Sequence, residues 1–101
     1  MRLTAFERDS LKQAARVHFG EDAKVRLFGS RTNDMARGGD IDLLVESNWT
    51  DPAKLAQAHT QFLATAYTLL GEQKLDVLLD YPGRSTHPPI FELAREQGVL
   101  L

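Results

Sequence analysis

Apolar and polar residues change period several times along this chain, and each change marks an element. Leu11, Ala14, Ala15 and His18 recur at helical spacing, opposite a polar face of Arg8, Asp9, Lys12, Gln13 and Arg16. Thr4-Ala5-Phe6-Glu7 has the form of a capping box, and Gly20 is a stop, so a helix is predicted over about 5–18. Ala23, Val25 and Leu27 then alternate with Lys24 and Arg26, the pattern of a half-buried strand that runs into Phe28-Gly29-Ser30. Residues 31–39 are polar and end in glycine, which predicts a short helical turn and a loop. A second strand follows over about 40–46, with Ile41, Leu43 and Val45 on one face. Asp51 as cap and Pro52 at the first position open a long helix over about 52–70. Its stripe of Leu55, His59, Phe62, Leu63, Ala66, Leu69 and Leu70 stops at Gly71. Lys74 to Asp80 reads as a third strand, with Leu75, Val77 and Leu79 on one face and Asp76, Leu78 and Asp80 on the other. After a Tyr81-Pro82-Gly83 turn and a loop, Ile90, Phe91, Leu93 and Ala94 define a short helix over about 90–97. The apolar tail Val99-Leu100-Leu101 is expected to dock on the body or on a partner.

The order helix, strand, turn, strand, helix, strand, helix predicts an α/β fold, a two-layer sandwich whose mixed β-sheet is covered by helices. A length of 101 residues suits one domain spanning 1–101. A hydrophobic fraction of 43% is ordinary for a globular core, and a net charge of −2 gives no reason to expect direct nucleic-acid binding. The chain has no cysteine, which excludes disulfides and thiolate metal sites and fits a cytoplasmic protein. Met1-Arg2-Leu3-Thr4 lacks the apolar run of a signal peptide, and no stretch approaches the roughly 18 apolar residues of a membrane span.

Three places carry candidate chemistry. Asp40 and Asp42 open the second strand and share a face, about 7 Å apart along it. Two carboxylates aimed at one space repel, and that arrangement asks for a hard divalent cation such as magnesium. Gly29-Ser30, after the first strand, can clamp phosphate: the glycine allows close approach, and the hydroxyl and following N–H groups point at an anion. Alone, a Gly-Ser turn is most often a plain loop, and it is neither a Walker A loop nor a dinucleotide-binding glycine pattern. Asp76 sits inside the apolar run Leu75-Asp76-Val77-Leu78-Leu79, where a carboxylate needs a reason. The alternative to a functional role is a buried aspartate paired with an arginine. Asp80 competes with Asp76 for the third position.

Gly29-Ser30, nine residues, Asp40-Ile41-Asp42, and then Leu75-Asp76-Val77 together resemble the DNA polymerase β nucleotidyltransferase superfamily, in its minimal nucleotidyltransferase (MNT) branch. The chain resembles the members paired with HEPN-type ribonuclease toxins, where the MNT protein is the antitoxin. The resemblance implies a polymerase β-like palm in which Gly29, Ser30 and Arg31 bind the phosphates of ATP. Asp40, Asp42 and Asp76 would then hold magnesium, two ions in all, with Asp76 at the acceptor hydroxyl. It implies transfer of NMP, as AMP from ATP, to a hydroxyl of a HEPN-type toxin, and hence a hetero-oligomer. One alternative is a non-catalytic antitoxin that silences its partner by docking; another is a stand-alone transferase for a small molecule or an RNA end. The chain departs from the family pattern at Thr32, Asn33 and Asp34, where relatives often carry a second arginine and a glycine, and Arg37 remains a further candidate phosphate ligand. His18, His59 and His87 lack metal-ligand spacing, and Trp49 reads as a packing residue.

Overall fold

In a computed structural model of the chain, residues 3–33, 39–71 and 73–101 are described. Helix α1 (Ala5–Phe19) begins at the expected box: the Glu7 N–H donates to Thr4 Oγ1 at 3.0 Å, and the Thr4 N–H donates to Glu7 Oε1 at 2.9 Å. Strand β1 (Lys24–Phe28) ends in a single 3-10 turn, Gly29–Thr32, and β2 (Ile41–Glu46) follows the loop. The long helix α2 (Pro52–Leu70) is capped by Asp51, whose Oδ1 accepts from the Ala53 N–H at 3.0 Å. Strand β3 (Leu75–Asp80), helix α3 (Pro89–Gln97) and a two-residue strand β4 (Val99–Leu100) complete the order.

The four strands form one sheet in the order β3-β2-β1-β4. β1 runs antiparallel to both β2 and β4, whereas β2 and β3 are parallel, joined through α2. Parallel neighbours need a long crossover, and α2 is that crossover. The sheet is therefore mixed and covered by helices, as the sequence pattern predicts. The apolar tail docks on the body: β4 pairs with β1, the Leu101 N–H donates to Val25 O at 2.8 Å, and the Leu101 side chain is buried.

Period two sorts each strand into two faces. Val25, Leu27, Ile41, Leu43, Val45 and Leu75 pack against Leu11, Ala15 and Phe19 of α1 and Leu55 and Phe62 of α2. The Phe19 and Phe62 rings meet at 5.5 Å between centroids. His18 Nε2 lies 2.8 Å from Thr65 Oγ1, a link between the two helices at the edge of this core. Trp49 packs beside Gly20, where a side chain would meet its indole nitrogen, and under the Lys54 ammonium, so it is a packing residue as its sequence position suggests.

The opposite face carries three rows across β1, β2 and β3: Phe28–Asp42–Asp76, Arg26–Leu44–Leu78 and Lys24–Glu46–Asp80. The nine-residue α3 covers the apolar centre, where Phe91 and Ala94 bury against Phe28, Leu44 and Leu78. Among the described residues no helix is long and apolar enough to cross a membrane.

The first-face core dictates a stability contrast. Phe62→Ala removes a side chain with no exposed surface and should lower unfolding free energy by about 3–5 kcal/mol. Leu93→Ala on exposed α3 surface should change it by about 0.5 kcal/mol or less. Urea denaturation followed by circular dichroism checks both.

Candidate active site

The row Phe28–Asp42–Asp76 forms where β1 ends, β2 begins and β3 begins. Asp42 and Asp76 face each other directly across the parallel pair, and Asp76 is exposed while Asp42 is half-buried. Directly opposed like charges destabilise a sheet. Burial first, then the charge of Asp76, a hydrogen bond shared with it and the charge of Asp40 push the Asp42 carboxyl above the usual aspartate range. The Lys74 charge offsets only part of this. Asp40 itself is turned toward Lys74, with Oδ2 3.5 Å from Nζ. Lys74 precedes β3 as Asp40 precedes β2, and the Ile41 N–H donates to Lys74 O at 3.0 Å, which brings the two side chains abreast.

Gly29 closes the site from the β1 side. Its φ is +76°, and a Cβ there would collide with Asp42 Oδ2. Glycine is required twice over, for the backbone conformation and for the room that the Asp42 carboxylate takes. Ser30 follows, exposed, in the 3-10 turn. Arg31 reaches the residues that precede Asp40 and Lys74: its Nε donates to Gly39 O at 3.3 Å and its Nη2 to Gln73 Oε1 at 3.1 Å. Asp34 and Arg37 lie outside the described residues.

The sequence model of the nucleotidyltransferase domain family matches residues 8–88. The chain belongs to that family. No curated protein sequence matches it. The matched span includes Gly29, Ser30, Arg31, Asp40, Asp42 and Asp76, while α3 and β4 fall beyond it. Membership supports transfer of a nucleoside monophosphate as the general activity of this nucleotidyltransferase.

Members of the family generally use a nucleoside triphosphate and a divalent metal. Among the described residues no group of three His, Asp or Glu side chains converges into a metal cluster, and Asp40 is paired with Lys74. The donor chemistry nonetheless suits a hard cation: two carboxylates stand abreast, and the Lys74 charge offsets only part of their repulsion. Magnesium takes one or two protein carboxylates and fills its shell with phosphate and water.

The structure separates Asp76 from Asp80. Asp80 is 7% exposed, opposite Glu46 in register, and four residues further along β3. Its carboxylate contacts Arg95 Nη2, accepts from the Tyr81 N–H at 2.9 Å, and lies 2.9 Å from His87 Nε2. The buried aspartate paired with an arginine is thus Asp80, while Asp76 stands beside Asp42. Glu46 completes that cluster, 2.9 Å from Arg26 Nε and 3.7 Å from Arg95 Nε. Sequence reasoning missed Arg95 and Lys74 as partners; the cross-strand alignment of Lys74 with Asp40 was a signal available to it. An apolar groove of about 440 Å³ runs along β3 between α2 and α3, lined by Leu55, Val77, Leu79, Ile90 and Phe91, and holds none of these carboxylates. Among the described residues, the Asp42–Asp76 pair stands on an open face instead.

The raised Asp42 carboxyl fixes the sign of a pH effect. The folded state holds this proton more tightly than the unfolded chain, so the contribution is fully present below the ordinary aspartate range and is lost as pH rises through the raised value. Asp42→Asn removes that loss. The variant's melting temperature, relative to the parent's, should climb from acid toward neutral pH. Thermal melts across that range check it, and a gap that shrinks instead would show that folding favours the Asp42 carboxylate.

Proposed function

We propose that this nucleotidyltransferase transfers AMP from ATP to a hydroxyl of a partner protein, a HEPN-type ribonuclease toxin, and acts as its antitoxin. The single observation that carries the reading is the Asp42–Asp76 pair, abreast on an open face beside the Gly29-Ser30 turn. Asp42 and Asp76, with Asp40 released from Lys74, are the residues that would hold magnesium. Bound there, the metal would supply Lewis-acid stabilisation of charge on the phosphoryl oxygens.

The chain's own groups do the rest. The Ser30 hydroxyl and the N–H groups of the turn bind phosphate oxygens, with Gly29 allowing the close approach. Asp76, exposed and next to Asp42, accepts the proton of the incoming hydroxyl as its oxygen bonds to the α-phosphorus of ATP, the bond from that phosphorus to the β-phosphate breaks, and pyrophosphate leaves. An open face with the apolar groove elsewhere supports an acceptor presented by a second protein rather than one enclosed by this chain. The HEPN partner itself comes from the resemblance alone. The docking-only antitoxin is the second reading, favoured by the engagement of Arg31 with Gly39 and Gln73.

Labelled ATP, magnesium and a HEPN-type partner, followed by intact mass of that partner, test the proposal. The parent should add whole AMP units, and Asp42→Asn combined with Asp76→Asn should add none while still co-purifying with the partner. A silenced partner of unchanged mass would replace transfer with docking. Ser30→Ala should weaken Mg–ATP binding by about 1.5–3 kcal/mol, the scale of a hydrogen bond to a charged group, with the fold intact by circular dichroism. Calorimetry in excess EDTA should show the parent's ATP affinity collapse.

A further inference from the structure

Gln73 occupies a junction that the site description leaves unexplained. Its side-chain Nε2 donates to Glu7 Oε2 at 2.6 Å and to Leu70 O at 3.2 Å, and its Oε1 accepts from Arg31 Nη2 at 3.1 Å. Two acceptors on one side and one donor on the other fix which way the amide points. Arg31 Nε reaches Gly39 O at 3.3 Å, so the guanidinium ties the start of the loop between the turn and β2 to its end. Glu7 is held in turn by the Thr4 N–H at its other oxygen. Burial pushes the Glu7 carboxyl up, but hydrogen bonds from Thr4 and Gln73 and the Arg31 charge outweigh it and hold the group below its usual range.

The chain of bonds thus joins four parts: the first turn of α1, the end of α2, the residues just before β3, and the Gly29–Thr32 turn. Asp40 follows Gly39 directly, and Asp76 lies one residue beyond the Leu75 that opens β3. We infer that Gln73 is a positioning residue for the phosphate-binding turn, acting through Arg31, which clasps the loop and sets Ser30 against Asp40 and Asp76. This rests on the nucleotidyltransferase reading of the site. Arg31 serves the nucleotide through the protein atoms it holds, and Glu7 serves it by orienting the Gln73 amide.

The test uses the full chain with Mg–ATP. Gln73→Met keeps the length of the side chain and removes both hydrogen-bonding ends. It should raise the Kd for Mg–ATP about tenfold and leave turnover at saturating ATP within about threefold. A lower melting temperature with unchanged Kd would mean a purely structural role and would overturn the inference. Gln73→Glu alone sets two carboxylates against each other and should also weaken binding. Glu7→Gln combined with Gln73→Glu reverses the donor, so that the amide at position 7 feeds the carboxylate at position 73, which still accepts from Arg31; glutamine also serves in a capping box. The carboxylate at position 73 still loses the bond to Leu70 O, so the double variant should regain part of the parent's Kd, and a Kd no better than that of Gln73→Glu alone would count against the relay. Amide hydrogen exchange of residues 29–33 needs no nucleotide and separates the two levels of the argument. A parent that binds no Mg–ATP, yet whose turn amides lose protection in Gln73→Met, defeats the reading of the site and keeps the clasp. Unchanged exchange defeats the clasp itself.

Discussion

The parallel, in-register pairing of β2 with β3 is the constraint from which the rest of the molecule's character follows. It sets acid against acid twice, Asp42 opposite Asp76 and Glu46 opposite Asp80. The two pairs are resolved differently. At the Asp80 end, Arg95, Arg26 and His87 close around the carboxylates, and Arg95 fastens α3 to the sheet. At the Asp42 end, by contrast, burial and the neighbouring Asp76 push the Asp42 carboxyl above its usual range, and the Lys74 charge relieves only part of this. One pair is architecture. The other remains two adjacent carboxylates, with Asp76 exposed.

Division of labour between the sheet's faces makes this tolerable. The α1–α2 face buries Phe19, Phe62 and the inward strand residues and carries most of the apolar burial. The other face buries only Phe28, Leu44 and part of Leu78 against a short helix, so its β2–β3 ends hold charge. A longer α3 would find no comparable apolar surface beyond Phe28, Leu44 and Leu78. Gly29 belongs to the same arrangement, since the Asp42 carboxylate takes the volume where any larger residue would put its Cβ.

Much of this was legible from periodicity. Every long element falls within a residue or so of its expected limits, because the apolar spacing, Thr4, Asp51, Pro52 and the glycine stops all point the same way. The nucleotidyltransferase pattern was legible because its residues lie at strand ends whose alternation fixes their direction. Asp76 and Asp80 could not be told apart on pattern alone. They share a face of one apolar strand, and what buries Asp80 is Arg95, brought over by a loop and a helix. Gln73 was invisible for the same reason: Glu7 reads as a cap, but its second oxygen meets a residue from the link between α2 and β3. Strand β4 was seen only as an apolar tail, since two residues carry too little alternation to declare a strand.

The crossover between β2 and β3 also governs when the site comes into being. β1 and β2 are neighbours in sequence as well as in the sheet and can pair early, whereas β3 must wait for α2 to form and fold across. Loop closure has to precede the contacts that reward it. The meeting of Asp42 with Asp76 is therefore a late event, and it opposes the very step that creates it. Chains in which β3 has not yet joined β2 lack that repulsion. The paired carboxylates are a property of the finished topology.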